Sequence, residues 1–251
     1  MENIKKNIEK PNIAIVAKET TSLADLATTA LRNKILDLSL NPSEHLEEKM
    51  LLERFPFGRT PIREALNRLM AEGLVETKNG RGAYVASMSI WHTLQLLEAY
   101  VISERVVASL IKFDDADLIK DLKEIQTEYE DVSKNADILG ITEKNNRFHR
   151  RLAKATGNRF IVAQHADLHN LARRLSFFVY SSENVSRKEF KLQVSRITRQ
   201  HYEIIGFIQD KNRSELVSLL TEHAVLFRSR LSAVIGGGAD KELDFSEVTS
   251  G

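Results

Sequence analysis

His149, His201 and His223 each sit in a stretch that turns an imidazole toward the interior of a helix packing. His149 follows Asn145 by four residues, so both share one helical face, which Phe148, Leu152 and Thr156 continue. His201 is in line with Ile197, Ile204, Ile205 and Ile208, and His223 with Leu216, Leu219, Leu220 and Phe227. His201 stands ten residues before a break at Lys211, and His223 twelve after it. In an antiparallel helix pair that spacing brings two rings to one height, roughly 15–18 Å from the turn. A third helix can add His149. Bundle cores rarely bury three polar groups without a shared partner. Three imidazoles with an amide or carboxylate oxygen suit a divalent ion: Zn²⁺ first, Ni²⁺ or Mn²⁺ otherwise. His165 and His169 are also four apart, but the stripe Ile161, Leu168, Leu171, Leu175 and Phe178 puts one at its edge and the other mostly outside. His45 and His92 are weaker candidates still. The chain has no cysteine, which excludes disulfides, iron–sulfur clusters, thiolate zinc and cysteine nucleophiles.

A second set of residues suits nucleic acid. Arg54, Arg59 and Arg63 follow one another with no acid between them, and Arg81 lies between two glycines at Gly80-Arg81-Gly82. Arginine can grip guanine O6 and N7 through two parallel hydrogen bonds, and a helix start can hold phosphate. Thr60-Pro61 reads as such a start, with Thr60 as the cap and Pro61 in the first helical position.

The elements that must position these groups follow from periodicity. Residues 1–20 read as a mobile arm. A helix is predicted from Ser22 to a stop at Asn41-Pro42, a short one over Glu47 to Phe55, and a third from Thr60 to Gly73. Leu74–Thr77 and Ala83–Ala86 flank an Asn-Gly turn and predict a hairpin. Three helices and a hairpin within 21–88 outline a winged helix-turn-helix, which places its third helix in the major groove. After Ser89 strand signals vanish, and residues 89–235 read as six helices in an antiparallel bundle, before a flexible acidic tail at 236–251. The predicted fold class is thus mainly α.

These motifs also resemble a family. Glu48-Lys49-Met50-Leu51, Gly58-Arg59-Thr60-Pro61-Ile62-Arg63-Glu64-Ala65-Leu66, Arg68-Leu69, Glu72-Gly73-Leu74-Val75 and Gly80-Arg81-Gly82-Ala83-Tyr84-Val85 look like the N-terminal signature of GntR-type bacterial transcriptional regulators. The resemblance implies that Lys49, Arg59, Thr60, Arg63 and Gly80 contact operator DNA. Gly58 stands where Ser or Thr is usual, which leaves only backbone N–H for a phosphate there. The second half, with Asn145-x-x-Phe148-His149, Gly157-Asn158, His201-x-x-Ile204-Ile205 and His223, is similar to the all-helical effector domain of the FadR-type (FCD) branch. That resemblance implies a metal held by one Asp and three His, with a small carboxylate or similar effector beside it. Asn145 replaces the Asp, so its oxygen would ligate without charge. Tyr100, four residues before Glu104, stands where an effector-gripping Arg is frequent. Tyr100 and Glu104 are the candidate effector contacts. Arg174 is a further one, although Arg173-Arg174 reads more simply as a solvated pair.

The expectation is a cytoplasmic, homodimeric, DNA-binding repressor, not an enzyme, whose C-terminal domain senses a small metabolite beside a divalent metal. A metal-dependent hydrolase on the helical domain is the rival from another class, with Glu104 as the nearest candidate base. In a third reading the metal itself is the signal. No stretch is long and apolar enough for a membrane helix. Formal net charge is +1, from 36 Lys+Arg and 35 Asp+Glu. Residues 49–81 hold seven basic against four acidic residues, while the tail from Asp240 holds four acids against one lysine. Specificity must therefore come from a few placed arginines rather than from bulk charge.

Overall fold

Ser22 and Asp25 start the first helix by capping each other. The Asp25 N–H donates to the Ser22 hydroxyl at 3.1 Å, and the Ser22 N–H donates to the Asp25 carboxylate at 2.9 Å. The computed structural model describes residues 21–78, 80–184 and 186–236; the arm at 1–20 and nearly all of the tail lie outside them. Helix α1 (Leu23–Leu36) is followed by α2 (Glu48–Arg54) and α3 (Arg59–Ala71). Ala27, Leu31 and Ile35 of α1 pack against Ile62, Ala65 and Leu69 of α3, all fully buried. Gly73 ends α3 at φ 71°, a left-handed conformation that glycine adopts without steric cost. Strands β1 (Val75–Lys78) and β2 (Arg81–Val85) form an antiparallel hairpin pairing Val75 with Val85 and Glu76 with Tyr84.

Two local expectations are corrected. Helix α1 ends at Leu36, before Asn41-Pro42, because Leu38 takes a left-handed φ of 59°. Helix α3 begins one residue earlier than Thr60, with Gly58 as its cap and no side-chain cap bond. Thr60 therefore lies inside the first turn and does not cap it.

Six helices follow: α4 (Ile90–Leu110), α5 (Leu118–Lys134), α6 (Ile138–Lys154), α7 (Arg159–Asn184), α8 (Arg187–Gln209) and α9 (Arg213–Gly236). Helix α5 packs on α6 and α8, α4 on α7 and α9, and α8 on α9. The largest bundle cluster joins Val107, Leu122, Phe148, Leu152, Ile204 and Leu220 from five helices. None of the described helices is long and apolar enough to cross a membrane.

Helix α7 belongs to both halves. Leu171 packs against the N-terminal core, and Gly73 approaches it so closely that a Cβ there would lie 3.2 Å from Leu171 Cδ2. One turn further on, Arg174 Nη1 donates to the Ala86 carbonyl at 2.8 Å.

Candidate metal centre and nucleic-acid interface

Helices α6, α8 and α9 bring His149, His201 and His223 together, with one ring nitrogen of each within 4.8 Å of the others. His149 and His201 are fully buried and His223 is 4% exposed. The orientation of each ring is set from behind. His201 Nδ1 stands 2.6 Å from the Gln126 side-chain oxygen, and His223 Nδ1 stands 3.0 Å from that of Gln200. Each of those amides donates its NH₂ to a glutamate, Gln126 to Glu130 at 3.1 Å and Gln200 to Glu222 at 3.4 Å. With the amide oxygens thus turned to the rings, Nδ1 carries the proton and Nε2 keeps its lone pair. His149 Nδ1 meets the Glu104 carboxylate at 3.0 Å. The Nε2 atoms of His149 and His201 are buried with no hydrogen-bond partner.

Orphaned imidazole nitrogens facing one another, each backed by an acceptor on the other ring nitrogen, are what a divalent metal requires. Burial, followed by the charges of His223 and His149, holds the His201 pKa well below its ordinary value. Burial, then His149, lowers His223 to about 3. Both rings are therefore neutral, the form that ligates. The three histidines fit a bound ion. Asn145 lies one turn before His149 on α6 and is half-buried, next to this arrangement in sequence and on the same helix face.

A second buried group adjoins the first. Glu104 on α4 is fully buried, and its Oε1 stands 3.1 Å from His165 Nε2 and 2.5 Å from His169 Nε2. Burial alone would raise the Glu104 pKa, but the charge of His149 and hydrogen bonds from His149, His165 and His169 outweigh it, leaving it well below the usual carboxylate range. Burial and the neighbouring His165 push His169 down to about 3. Tyr100 is buried with its ring 4.7 Å from that of His169, and burial together with Glu104 raises its hydroxyl pKa.

This corrects the expectation for His165 and His169, which are 0% and 3% exposed rather than at or beyond the edge of a stripe. Leu171 of that stripe packs in the winged core, Leu175 and Phe178 join Ala172 and Val179 in a bundle cluster, and His165 and His169 are buried as well. Helix α7 buries two faces, so a single apolar stripe did not describe it. Glu104 carried a readable signal: it interrupts the buried run Leu97, Tyr100, Val107 and Ala108 on α4. Arg174 is corrected as well, since it is buried rather than solvated. It lines a 240 Å³ cavity between the winged half and α4 and α7, whose lining includes none of His149, His201 and His223, and burial lowers its pKa to about 10.

On the winged half, Lys49, Arg59, Thr60, Arg63, Gly80 and Arg81 are all exposed. Arg59 and Arg63 lie one turn apart at the start of α3, and both face Glu48 of α2. Arg63 Nε is 2.7 Å from Glu48 Oε2, and Arg59 Nε is 3.6 Å from Oε1. The run of arginines without an acid in sequence thus acquires one in space. Gly80 takes φ 68° at the hairpin tip.

Residues 23–85 match the family model of the bacterial regulatory proteins of the gntR family, and residues 95–225 match the FCD domain. The chain is 29% identical over 162 residues to the HTH-type transcriptional repressor GlaR of Escherichia coli (strain K12), covering 59% of this chain and 69% of that one. It is 26% identical over 199 residues to the gluconate operon transcriptional repressor of Bacillus subtilis (strain 168), covering 77% and 78%. Among solved structures, a GntR transcriptional regulator from Rhodococcus sp. RHA1 superposes with a TM-score of 0.64 at 18% identity, covering 85% of this chain and 97% of that one. That likeness concerns the fold.

Proposed function

The chain belongs to the gntR family of bacterial regulatory proteins, with an FCD domain behind its winged helix, and from that premise we propose that it is a homodimeric repressor gated by a divalent metal and a small effector. As a member of that family it is a DNA-binding transcriptional regulator and not an enzyme, and the hydrolase reading falls away. The winged unit, taken as residues 21–88, reads operator DNA through Arg59 and Arg63 at base edges, with Lys49, Thr60, Gly80 and Arg81 on the backbone. The bundle, taken as 89–235, holds the ion on His149, His201 and His223 with the oxygen of Asn145, Zn²⁺ before Ni²⁺ or Mn²⁺. A bound ion would supply a Lewis-acidic anchor for an effector oxygen, such as that of a carboxylate, next to Tyr100 and Glu104. The observation that carries this reading is the pair of orphaned Nε2 atoms on His149 and His201.

Helix α7 supplies the coupling. His169 touches Glu104 behind His149, and Leu171, two residues on, packs in the winged core. A shift of α7 on ion or effector binding moves the recognition helix with it. Dimerisation is supported by α4, which is apolar on its outer side as well: Trp91, Leu94 and Ile102 are 66%, 48% and 63% exposed. Two winged units then meet two half-sites of an operator. The tight closure around the histidines favours, as a second reading, the metal itself as the signal.

Selection of bound duplexes from a randomised library, followed by gel shifts with wild type and Arg63→Ala, tests the DNA assignment. A selected palindromic sequence, and a loss of discrimination in the variant, are expected. No enriched sequence would refute it.

A further inference from the structure

We infer that Glu104, His165 and His169 form a second divalent-cation site, separate from the three-histidine centre and joined to it through Glu104. His165 and His169 are four residues apart on α7, the spacing that sets two imidazoles on one face of a helix to grip one ion. Their rings are stacked with centroids 4.0 Å apart and 24° between planes, and both Nε2 atoms meet the same oxygen, Glu104 Oε1. One nitrogen of each and the carboxylate oxygen all lie within 4.8 Å of one another. All three residues are buried, so bulk water does not reach them.

The lone pairs of Glu104 decide between an ion and a set of plain hydrogen bonds. Oε1 has about two lone-pair directions, yet three nitrogens crowd it: His149 Nδ1 at 3.0 Å, His165 at 3.1 Å and His169 at 2.5 Å. An ion relieves this. Nitrogen and oxygen ligands each about 2.0–2.2 Å from one metal stand roughly 3 Å apart. Oε1 then binds the ion with His165 and His169, while Oε2, which is 3.1 Å from His149 Nδ1, accepts that N–H. His149 keeps its Nε2 lone pair for the other centre. Among the described residues no Lys or Arg is paired with the buried Glu104 carboxylate, whose contacts are His149, His165 and His169, and a divalent cation supplies the countercharge a buried carboxylate needs. The Tyr100 ring against His169 closes the site on one side.

The test counts metal. Protein stripped with a chelator, reloaded with excess Co²⁺ and desalted is measured by native mass spectrometry and elemental analysis, with the Co²⁺ visible spectrum as a second readout. The wild type is expected to hold two ions per protomer. His165→Gln/His169→Gln should hold one fewer and lose part of the visible band, whereas His201→Gln/His223→Gln should lose the other ion only. Thermal melts establish that each variant is folded, and single His165→Gln replaces the double variant if that one is not. A wild-type count unchanged in the folded α7 variant overturns the second site. A count unchanged in the α8/α9 variant refutes the three-histidine reading instead, so the two failures are distinguishable.

Discussion

Arg63 is two-thirds exposed on α3, yet its Nε lies 2.7 Å from Glu48 Oε2 on α2, and the same carboxylate reaches toward Arg59. One acid thus holds both candidate base-reading side chains before DNA arrives. An ion pair this exposed contributes little to stability. Its effect is on binding: Glu48 fixes the arginines in one place and must give up its hold, or share it, when a guanine is engaged.

Glu48→Gln is therefore expected to raise affinity for non-specific duplex several-fold, because a negative charge leaves a phosphate-facing surface. Affinity for the selected operator should rise less, so discrimination falls. Anisotropy titrations on both duplexes measure the ratio. An unchanged ratio means that Glu48 does not restrain the arginines.

Arg63→Ala and Arg81→Ala should differ in kind. Loss of a bidentate guanine contact costs about 1–3 kcal/mol at one base position. Loss of a phosphate contact at the hairpin tip weakens all sequences alike and lowers the slope of log affinity on log salt by about 1. Salt series on operator and mutated operators separate the two.

Behind the histidines, Gln126→Leu or Gln200→Leu should weaken metal binding about 10–100-fold, since each removes the acceptor that fixes an imidazole tautomer. Competition with a chromophoric chelator measures it. Equal affinity in variant and wild type would show that the amides only fill space.

At the other end of the chain, Ser22→Ala should destabilise the winged unit by about 1 kcal/mol through loss of the cap. The partner Asp25 has its carboxyl lowered to about 2 by the Ser22 hydroxyl and by Arg68 of α3. A depressed carboxylate stabilises above its unfolded pKa, near 3.8, and that contribution disappears as pH falls through about 2. The difference in melting temperature between wild type and Asp25→Asn should accordingly be present at pH 6 and shrink below pH 3.

Much of this was legible from spacing. The helix-turn-helix and the inward faces of His149, His201 and His223 follow from a 3.6-residue period, which needs no tertiary information. What was not legible depended on pairs far apart in sequence. Glu48 and Arg63 are brought together by the turn between α2 and α3. Gln126 and Gln200, 0% and 1% exposed, become acceptors for His201 and His223 only through packing between helices that no spacing records. His165 and His169 were misplaced because α7 packs against both the bundle and the winged unit, so its buried surface is wider than one apolar stripe. The cap at Gly58 was missed because Thr-Pro imitates a capped helix start, whereas the chain places its cap two residues before Thr60 with no side-chain bond.

The most direct measurement is operator affinity as a function of metal. Anisotropy of a labelled operator duplex is followed with chelator-stripped protein, with Zn²⁺-reloaded protein, and with His201→Gln/His223→Gln treated in the same two ways. Coupling between sites of this kind amounts to about 1–3 kcal/mol, or roughly 5- to 150-fold. A shift of at least about fivefold between stripped and reloaded wild type, absent in the variant, is the expected result. Identical operator affinity in all four samples would contradict metal-gated DNA binding.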